Sequence, residues 1–177
     1  MAFTFDADPV SANMNSYVSV SDADDFFAAK YIPADDDQWS DLDEAIKQAL
    51  LCSATRVLET FEYGGLKNSR TQPLKWPRQG MYTNEGVAWP HSTVPEPMKQ
   101  ALCEQAYWLW TEKDRVLDDT TMMQVDTFKA GPLNLKLRKN AVVYISPEAL
   151  GLINSMGTGT LINTGYTGGA TTMSMEL

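Results

Sequence analysis

The single histidine, His91, is the residue best suited to acid–base or metal chemistry, and it lies between Pro90 and Ser92. A Ser-His-Asp hydrolase would need a serine on a sharp strand-to-helix turn, and the sequence has no G-x-S-x-G motif. A metal site would need other His or Cys ligands, and none is close to His91 in sequence. We therefore interpret His91 as a loop histidine and keep a small hydrolase built on it as an alternative.

Other residue clusters that could bind an ion or a phosphate lack the spacing they would need. Three aspartates at 35–37 could attract calcium, but no D-x-D-x-D-G motif or distal glutamate accompanies them, which favours a solvated loop. Gly157, Gly159 and Gly165 have no preceding strand and no following helix or lysine, so they do not form a phosphate loop. We predict no enzyme activity, no cofactor and no metal.

Two cysteines, Cys52 and Cys103, fall in predicted helices and have no C-x-x-C spacing. This pattern predicts buried thiols, with a disulfide as the less favoured alternative. No run of about 18 apolar residues predicts a membrane-spanning helix, and residues 1–8 lack the basic start of a signal peptide. We expect a protein that stays in, or is assembled in, the cytosol and has no membrane partner.

The formal charge of -9 comes from 23 acidic and 14 basic side chains. Such a charge repels phosphate backbones at long range, although it does not exclude a local basic patch. Lys67, Arg70, Lys75 and Arg78 cluster around Trp76, and cations beside an aromatic residue are typical of single-stranded DNA binding. The alternative is a loop pinned by Trp76, with Arg78 paired to a carboxylate; the net charge favours this second interpretation.

Helical periodicity predicts a mainly α fold. The first helix is predicted to begin at Ser21, with Asp24 completing a capping signal, and to end at Pro33. A second helix, capped by Asp41, continues to Gly64-Gly65. Its predicted apolar stripe consists of Leu42, Ala45, Ile46, Ala49, Leu50, Val57, Leu58 and Phe61.

The second half of the chain predicts one more long helix, a hairpin and a short helix. Pro95 and Pro97 open a helix that runs to about Leu117 and packs antiparallel on the second helix. Alternating residues predict a hairpin over 124–138, and Ser146 opens a short helix. The hairpin pattern puts Leu133, Leu135 and Leu137 on one face, with Lys136 and Arg138 on the other.

Between these elements, the stretch 66–95 has no periodicity and is predicted to be a loop anchored by Trp76 and Trp89. The expected organisation is an N-terminal arm (1–15), a domain (16–154) and a flexible C-terminal arm (155–177). The arm after 154 holds too few large apolar residues to fold alone. The predicted fold is a small helical bundle of three main helices plus a short C-terminal helix, with one β-hairpin and extended terminal arms.

The order of several short motifs adds a resemblance. YVSVSDAD at 17–24 precedes a Phe-rich helix, ATR lies at 54–56, LKWPRQG at 74–80, and VP at 94–95 precedes MKQALCE at 98–104. This order resembles the head–tail adaptor (connector, head-completion) proteins of tailed bacteriophages, among whose relatives some are labelled DnaT-like single-stranded-DNA-binding. The resemblance covers about residues 16–153.

The resemblance implies a structural virion protein without catalysis or cofactor. It implies a ring, dodecameric in this family, in the neck between the head and the tail, assembled in the host cytoplasm. The implied partners are the portal protein, neighbouring copies of the chain, tail or nozzle proteins, and passing double-stranded DNA that is not contacted sequence-specifically. The alternative function is that of a single-stranded DNA-binding replication accessory protein.

The expected protein contacts lie in the long loop, the hairpin and the C-terminal arm, where extended chain could reach a neighbour. The candidate interface residues are Trp76, Arg78, Trp89, Phe128, Lys136, Arg138, Leu161, Ile162, Tyr166, Met173 and Met175.

Overall fold

The computed structural model describes residues 4–33, 38–112, 127–130, 133–136, 145–157 and 161–163. Within these ranges, four α-helices dominate, and the predicted mainly α class with a hairpin is confirmed. The helices are α1 (Val20–Ala29), α2 (Glu44–Leu58), α3 (Glu96–Thr111) and α4 (Pro147–Ser155). The strands are β1 (Glu62–Tyr63), β2 (Leu66–Lys67), β3 (Arg78–Gln79), β4 (Thr127–Ala130), β5 (Leu133–Lys136) and β6 (Leu161–Asn163).

The core forms where α3 packs against both α2 and α4. Its fully buried side chains include Leu51 and Leu58 from α2, Met98 and Leu102 from α3, and Ile153 from α4. Burying each such side chain contributes about 1.5 to 3 kcal/mol. Helices α2, α3 and α4 therefore form the packed core that the loops connect to.

Two predicted helix starts are wrong by one or two residues. Ser19, not Ser21, caps α1, because its side chain accepts the backbone N–H of Asp22 at 3.1 Å. Asp41 closes a short 3-10 turn, and Asp43 precedes α2 without a side-chain capping bond. In both cases a neighbouring polar residue could have supplied the same signal, so the sequence left the start ambiguous.

The predicted apolar stripe of α2 is partly wrong. Ala45, Ile46 and Ala49 are exposed, whereas the polar Lys47 is buried. Lys47 is accommodated because its ammonium pairs with Asp24 at 2.8 Å. The helix also ends at Leu58 instead of Gly64-Gly65. The buried face of α2 consists of Lys47, Leu51, Cys52, Ala54, Thr55 and Leu58.

The helix starts and the hairpin predicted for the second half are confirmed where the structure describes them. Pro95 precedes α3, and the side chain of Ser146 caps α4 by accepting the N–H of Ala149. Strands β4 and β5 pair antiparallel, as the hairpin signal predicted. The predicted end of the third helix near Leu117, the acidic residues 35–37 and the hairpin residues beyond 136 lie outside the described residues.

Parts of both predicted arms contact the body. Met14 is buried in the core, and β6 pairs antiparallel with β1. Met156 and Gly157 are buried as well. The described pieces of the C-terminal arm, 155–157 and 161–163, therefore pack against the chain itself. Tyr166, Met173 and Met175 lie outside the described residues. Among the helices that the structure describes, none is long and apolar enough to cross a membrane.

Candidate functional site

Residues 66–78, which we call the basic loop, carry four cations that lack carboxylate partners. Neither Lys67, Arg70, Lys75 nor Arg78 forms an ion pair with any residue that the structure describes. Among the other cations whose side chains the structure describes, Lys30, Lys47 and Lys99 form ion pairs and Arg56 does not. The carboxylate that contacts the basic loop is Glu59, which accepts the backbone N–H of Lys75 and not its ammonium. The ion pairs found in the described ranges are Lys30–Glu104, Lys47–Asp24 and Lys99–Glu96.

Trp76 holds the basic loop in the body, as predicted. Its side chain is completely buried and meets Tyr63 edge-on, with ring centroids 5.5 Å apart. The Trp76–Pro77 peptide bond is cis. Because the indole is inaccessible, Trp76 does not fit its predicted role as a residue that contacts another chain.

Arg78 fixes the base of the loop through backbone carbonyls. Its guanidinium donates to Gly64 O at 2.5 Å, Tyr63 O at 3.0 Å, Gly65 O at 2.9 Å and Lys75 O at 3.1 Å. The prediction that Arg78 pairs with a carboxylate is therefore wrong. The planar fork of arginine donors suits several converging carbonyls, and burial lowers the pKa of Arg78.

Glu59, at the end of α2, holds the other side of the loop. Its carboxylate accepts the backbone N–H of Lys75 at 2.9 and 3.1 Å, and it also accepts the hydroxyl of Tyr17. Burial, with the nearby charge of Glu59, raises the pKa of Tyr17 well above its usual value. The ammonium of Lys75 donates to Phe61 O at 2.6 Å, so Lys75 also serves the loop's structure.

Lys67 and Arg70 remain as the exposed cations of the basic loop. Two apolar side chains are exposed nearby in sequence: Leu66 is 69% exposed and Tyr82 is 56% exposed. Cations that meet phosphates and aromatic rings that stack on bases are the two components of single-strand recognition. Lys67, Arg70 and Tyr82 are thus the side chains of this region with both the chemistry and the accessibility for such contacts.

Trp89, the other predicted anchor and interface residue, is half-buried. Its indole N–H donates to Met156 O at 2.9 Å and ties the region after the basic loop to the end of α4. Gly157 comes close to the same region, since a Cβ at this position would lie 2.2 Å from Tyr82 O. The anchoring role of Trp89 is confirmed.

The hairpin carries a second group of cations. Thr127 pairs with Lys136, and Lys129 pairs with Asn134, so positions 129 and 136 share one face of the ladder. Phe128 takes a position on the opposite face, where it pairs with Leu135. This register agrees with the predicted separation of basic and leucine positions, while Arg138 lies outside the described residues.

The charge distribution along the chain was the signal that sequence reasoning missed. Residues 22–62 hold eleven acidic and three basic side chains. By contrast, residues 63–84 and 127–147 each hold four basic side chains and no acidic ones. The net charge is a sum over the whole chain, so it does not show that residues 63–84 and 127–147 are cationic.

Other chemistry has little support in the described part of the chain. No group of three or more metal-ligating residues is found there, and His91 is exposed on the loop. Cys52 and Cys103 are buried free thiols, as predicted. Burial raises the pKa of both thiols, which disfavours the reactive thiolate.

The fold and site define a small, mainly helical protein with an anchored cationic loop. The model of a family described as "Putative DnaT-like ssDNA binding protein" matches residues 1–173, and the chain belongs to this family. No curated protein and no solved structure matches the chain.

The family match corrects the expected function. The prediction of a head–tail adaptor, with its virion and connector role, is wrong because the matched family is described by single-stranded DNA binding instead. The match agrees with the alternative prediction, a single-stranded DNA-binding protein. The net charge had favoured the adaptor, but it did not reveal the acid-free segments.

Proposed function

We propose that this protein binds single-stranded DNA, that it does so without catalysis, and that the basic loop makes the principal phosphate contacts. The observation that carries the proposal is the absence of ion pairs to Lys67, Arg70, Lys75 and Arg78 within the described ranges. The family description supports the same function.

The four cations of the basic loop differ in their surroundings, and this difference supports a loop that is ordered before DNA binds. Lys75 and Arg78 are engaged with backbone carbonyls, yet their positive charges still contribute to the local field. Lys67 and Arg70 are exposed, and the ammonium of Lys67 also donates to Gln72 O at 3.3 Å. Trp76 and Glu59 hold the loop that carries them. A loop that is ordered before binding loses less conformational entropy when DNA arrives.

The overall acidity sets a limit on the affinity and makes it sensitive to salt. Long-range repulsion from the acidic remainder of the chain opposes DNA, whereas the loop attracts it at short range. Each phosphate contact to a single strand contributes about 0.7 to the slope of log K against log salt. We therefore expect measurable binding at low salt that weakens steeply as salt is added.

Fluorescence anisotropy with a labelled oligonucleotide of about 20 nucleotides tests the proposal, since this length exceeds the roughly 4 to 16 nucleotides that a single-strand-binding OB fold covers. The titration is repeated at several salt concentrations, with the matching duplex as competitor. The double variant Lys67→Gln/Arg70→Gln should bind more weakly and lose about 1.4 from the slope, which corresponds to two phosphate contacts.

The control is the double variant Arg56→Gln/Lys99→Gln, which removes the same charge from helices α2 and α3. If it weakened binding as much as the loop variant does, net charge and not the loop would determine the affinity. If the wild-type protein showed no binding at low salt, the proposed function would be wrong.

A further inference from the structure

A groove of about 310 Å³ lies between the basic loop and the N-terminal segment. Residues 9–12 form one wall, residues 68–72 form the other, and Ser92 contributes to the lining. Its volume is at the lower end of the range for ligand pockets, about 300 to 1,000 Å³, so it suits a small unit instead of a folded partner.

The loop wall of the groove is held by Gln72. The side-chain oxygen of Gln72 accepts the N–H of Ser69 at 2.9 Å, while its amide nitrogen donates to Leu74 O at 2.9 Å and Pro77 O at 3.0 Å. The hydroxyls of Ser69 and Thr71 lie 3.0 Å apart and share a hydrogen bond. This wall is therefore organised without a ligand.

The N-terminal wall is held by Asp6. Its carboxylate accepts the hydroxyl of Ser11 at 2.5 Å and the N–H of Asp8 at 3.0 Å. The backbone of Asp6 is tied to Asn15 in turn, through the Asn15 side-chain oxygen at 3.0 Å. Both walls are thus held by hydrogen bonds of their own lining residues Ser11, Ser69, Thr71 and Gln72, which leaves Asn68 and Ser92 as the lining residues whose polar side chains make no such bond to any residue that the structure describes.

The polar side chains left free in and beside the groove can all donate hydrogen bonds, and those of Asn68 and Ser92 can also accept them. The side chains of Asn68, Ser92 and Arg70 make no hydrogen bond or ion pair within the part of the chain that the structure describes. Asn68 and Ser92 line the groove, and Arg70 lies in sequence between the lining residues Ser69 and Thr71. Among the described residues, no carboxylate lines the groove itself; those of Asp6 and Asp8 lie behind the N-terminal wall, where they accept hydrogen bonds from Ser11 and Val10. The guanidinium of Arg70, together with the unengaged donors of Asn68 and Ser92, favours an anionic, oxygen-rich ligand.

The geometry points to this groove as the place where one sugar–phosphate unit of the bound strand sits, with Asn68 and Ser92 donating to its oxygens and Arg70 neutralising its charge. This inference rests on the proposed single-stranded DNA binding. The inference adds hydrogen bonds from the neutral side chains of Asn68 and Ser92. Neutral side chains release no counterions, so these bonds do not contribute to the slope of log K against log salt.

The double variant Asn68→Ala/Ser92→Ala tests the inference in the same anisotropy assay. Both residues are exposed, so folding should be unaffected. Losing two hydrogen bonds to a charged phosphate should weaken binding about tenfold or more. The salt slope should stay at the wild-type value, in contrast to the slope of Lys67→Gln/Arg70→Gln.

The matched control is Ser21→Ala/Asn154→Ala, which removes the same two residue types from exposed positions on α1 and α4. It should bind as the wild type does. Wild-type affinity of Asn68→Ala/Ser92→Ala would overturn the groove inference and leave the proposed function intact. Absence of binding by the wild-type protein would overturn both.

A blocking experiment gives an independent result. The exposed groove residue Ala12 is replaced in Ala12→Cys and labelled with a bulky maleimide, while the native thiols are buried. The label should weaken binding, whereas the same label on Asn154→Cys should not. Unchanged binding by the labelled Ala12→Cys protein would also overturn the groove assignment.

Discussion

Glu59 and Lys75 are joined by a forked hydrogen bond: both carboxylate oxygens of Glu59 accept the single backbone N–H of Lys75, at 2.9 and 3.1 Å. Because Trp76 follows directly, this contact fixes the chain where the loop enters the core. The hydroxyl of Tyr17 donates to the same carboxylate, which links the segment before α1 to the loop. Glu59 is therefore a positioning residue for the proposed DNA-binding surface.

Glu59→Ala should destabilise the protein by about 1.5 to 3 kcal/mol, because the variant loses hydrogen bonds to a charged acceptor. Glu59→Gln keeps one acceptor oxygen and should cost less. Urea unfolding followed by circular dichroism measures both values. Glu62→Ala, an exposed carboxylate on β1, should stay within about 0.5 kcal/mol of the wild type. An equal loss of unfolding free energy in Glu62→Ala would show that the contacts of Glu59 do not stabilise the loop.

Arg78→Lys separates geometry from charge. Lysine keeps the positive charge but cannot donate to the four carbonyls that the guanidinium reaches, so we expect a loss of about 1 to 3 kcal/mol. Chemical denaturation measures the loss, and Arg70→Lys, at an exposed position of the same loop, serves as the control. If both variants were equally stable, the carbonyl contacts of Arg78 would not stabilise the loop.

The elements that local signals determine could be predicted from the sequence. Pro95 and Ser146 mark helix starts through chemistry confined to one turn, and the structure agrees. The face of α2 could not be assigned this way, because Lys47 is buried only through its tertiary contacts with Asp24 and Trp39. Periodicity alone treats a lysine as a surface residue.

The candidate site was only half visible in the sequence. The cluster of cations around Trp76 was recognised, but the partners of Arg78 were not. Those partners are main-chain carbonyls that come near only because the chain turns at Gly64-Gly65 and returns as β3. A sequence shows that an arginine and many carboxylates exist, yet it does not show which acceptors the fold brings within reach.

Gly65 should resist substitution for two separable reasons. Its φ of +65° is unfavourable for other residues, and a Cβ at this position would lie 2.4 Å from Gln79 O. Gly86 has a φ of +81° but open space around it, so Gly86→Ala should show only the backbone cost of about 1 to 2 kcal/mol. Thermal and urea unfolding should show a clearly larger loss for Gly65→Ala. Equal losses in the two variants would mean that β2 and β3 readily move apart.

The Asp6 carboxylate should make the stability of the protein depend on pH at the acidic end. The hydrogen bond from Ser11 lowers the pKa of Asp6 from its ordinary value, so the charged form is favoured in the folded state. The stabilisation is complete above the unfolded pKa and is lost as the pH falls through the lower, folded pKa. The melting temperature of Asp6→Asn should therefore lie below that of the wild type at about pH 6 and approach it as the pH falls through the lowered pKa of Asp6. Asp25→Asn, at an exposed position on α1, is the control. A melting-temperature difference for Asp6→Asn that stayed constant over this pH range would show that the charge of Asp6 does not hold the N-terminal wall of the groove.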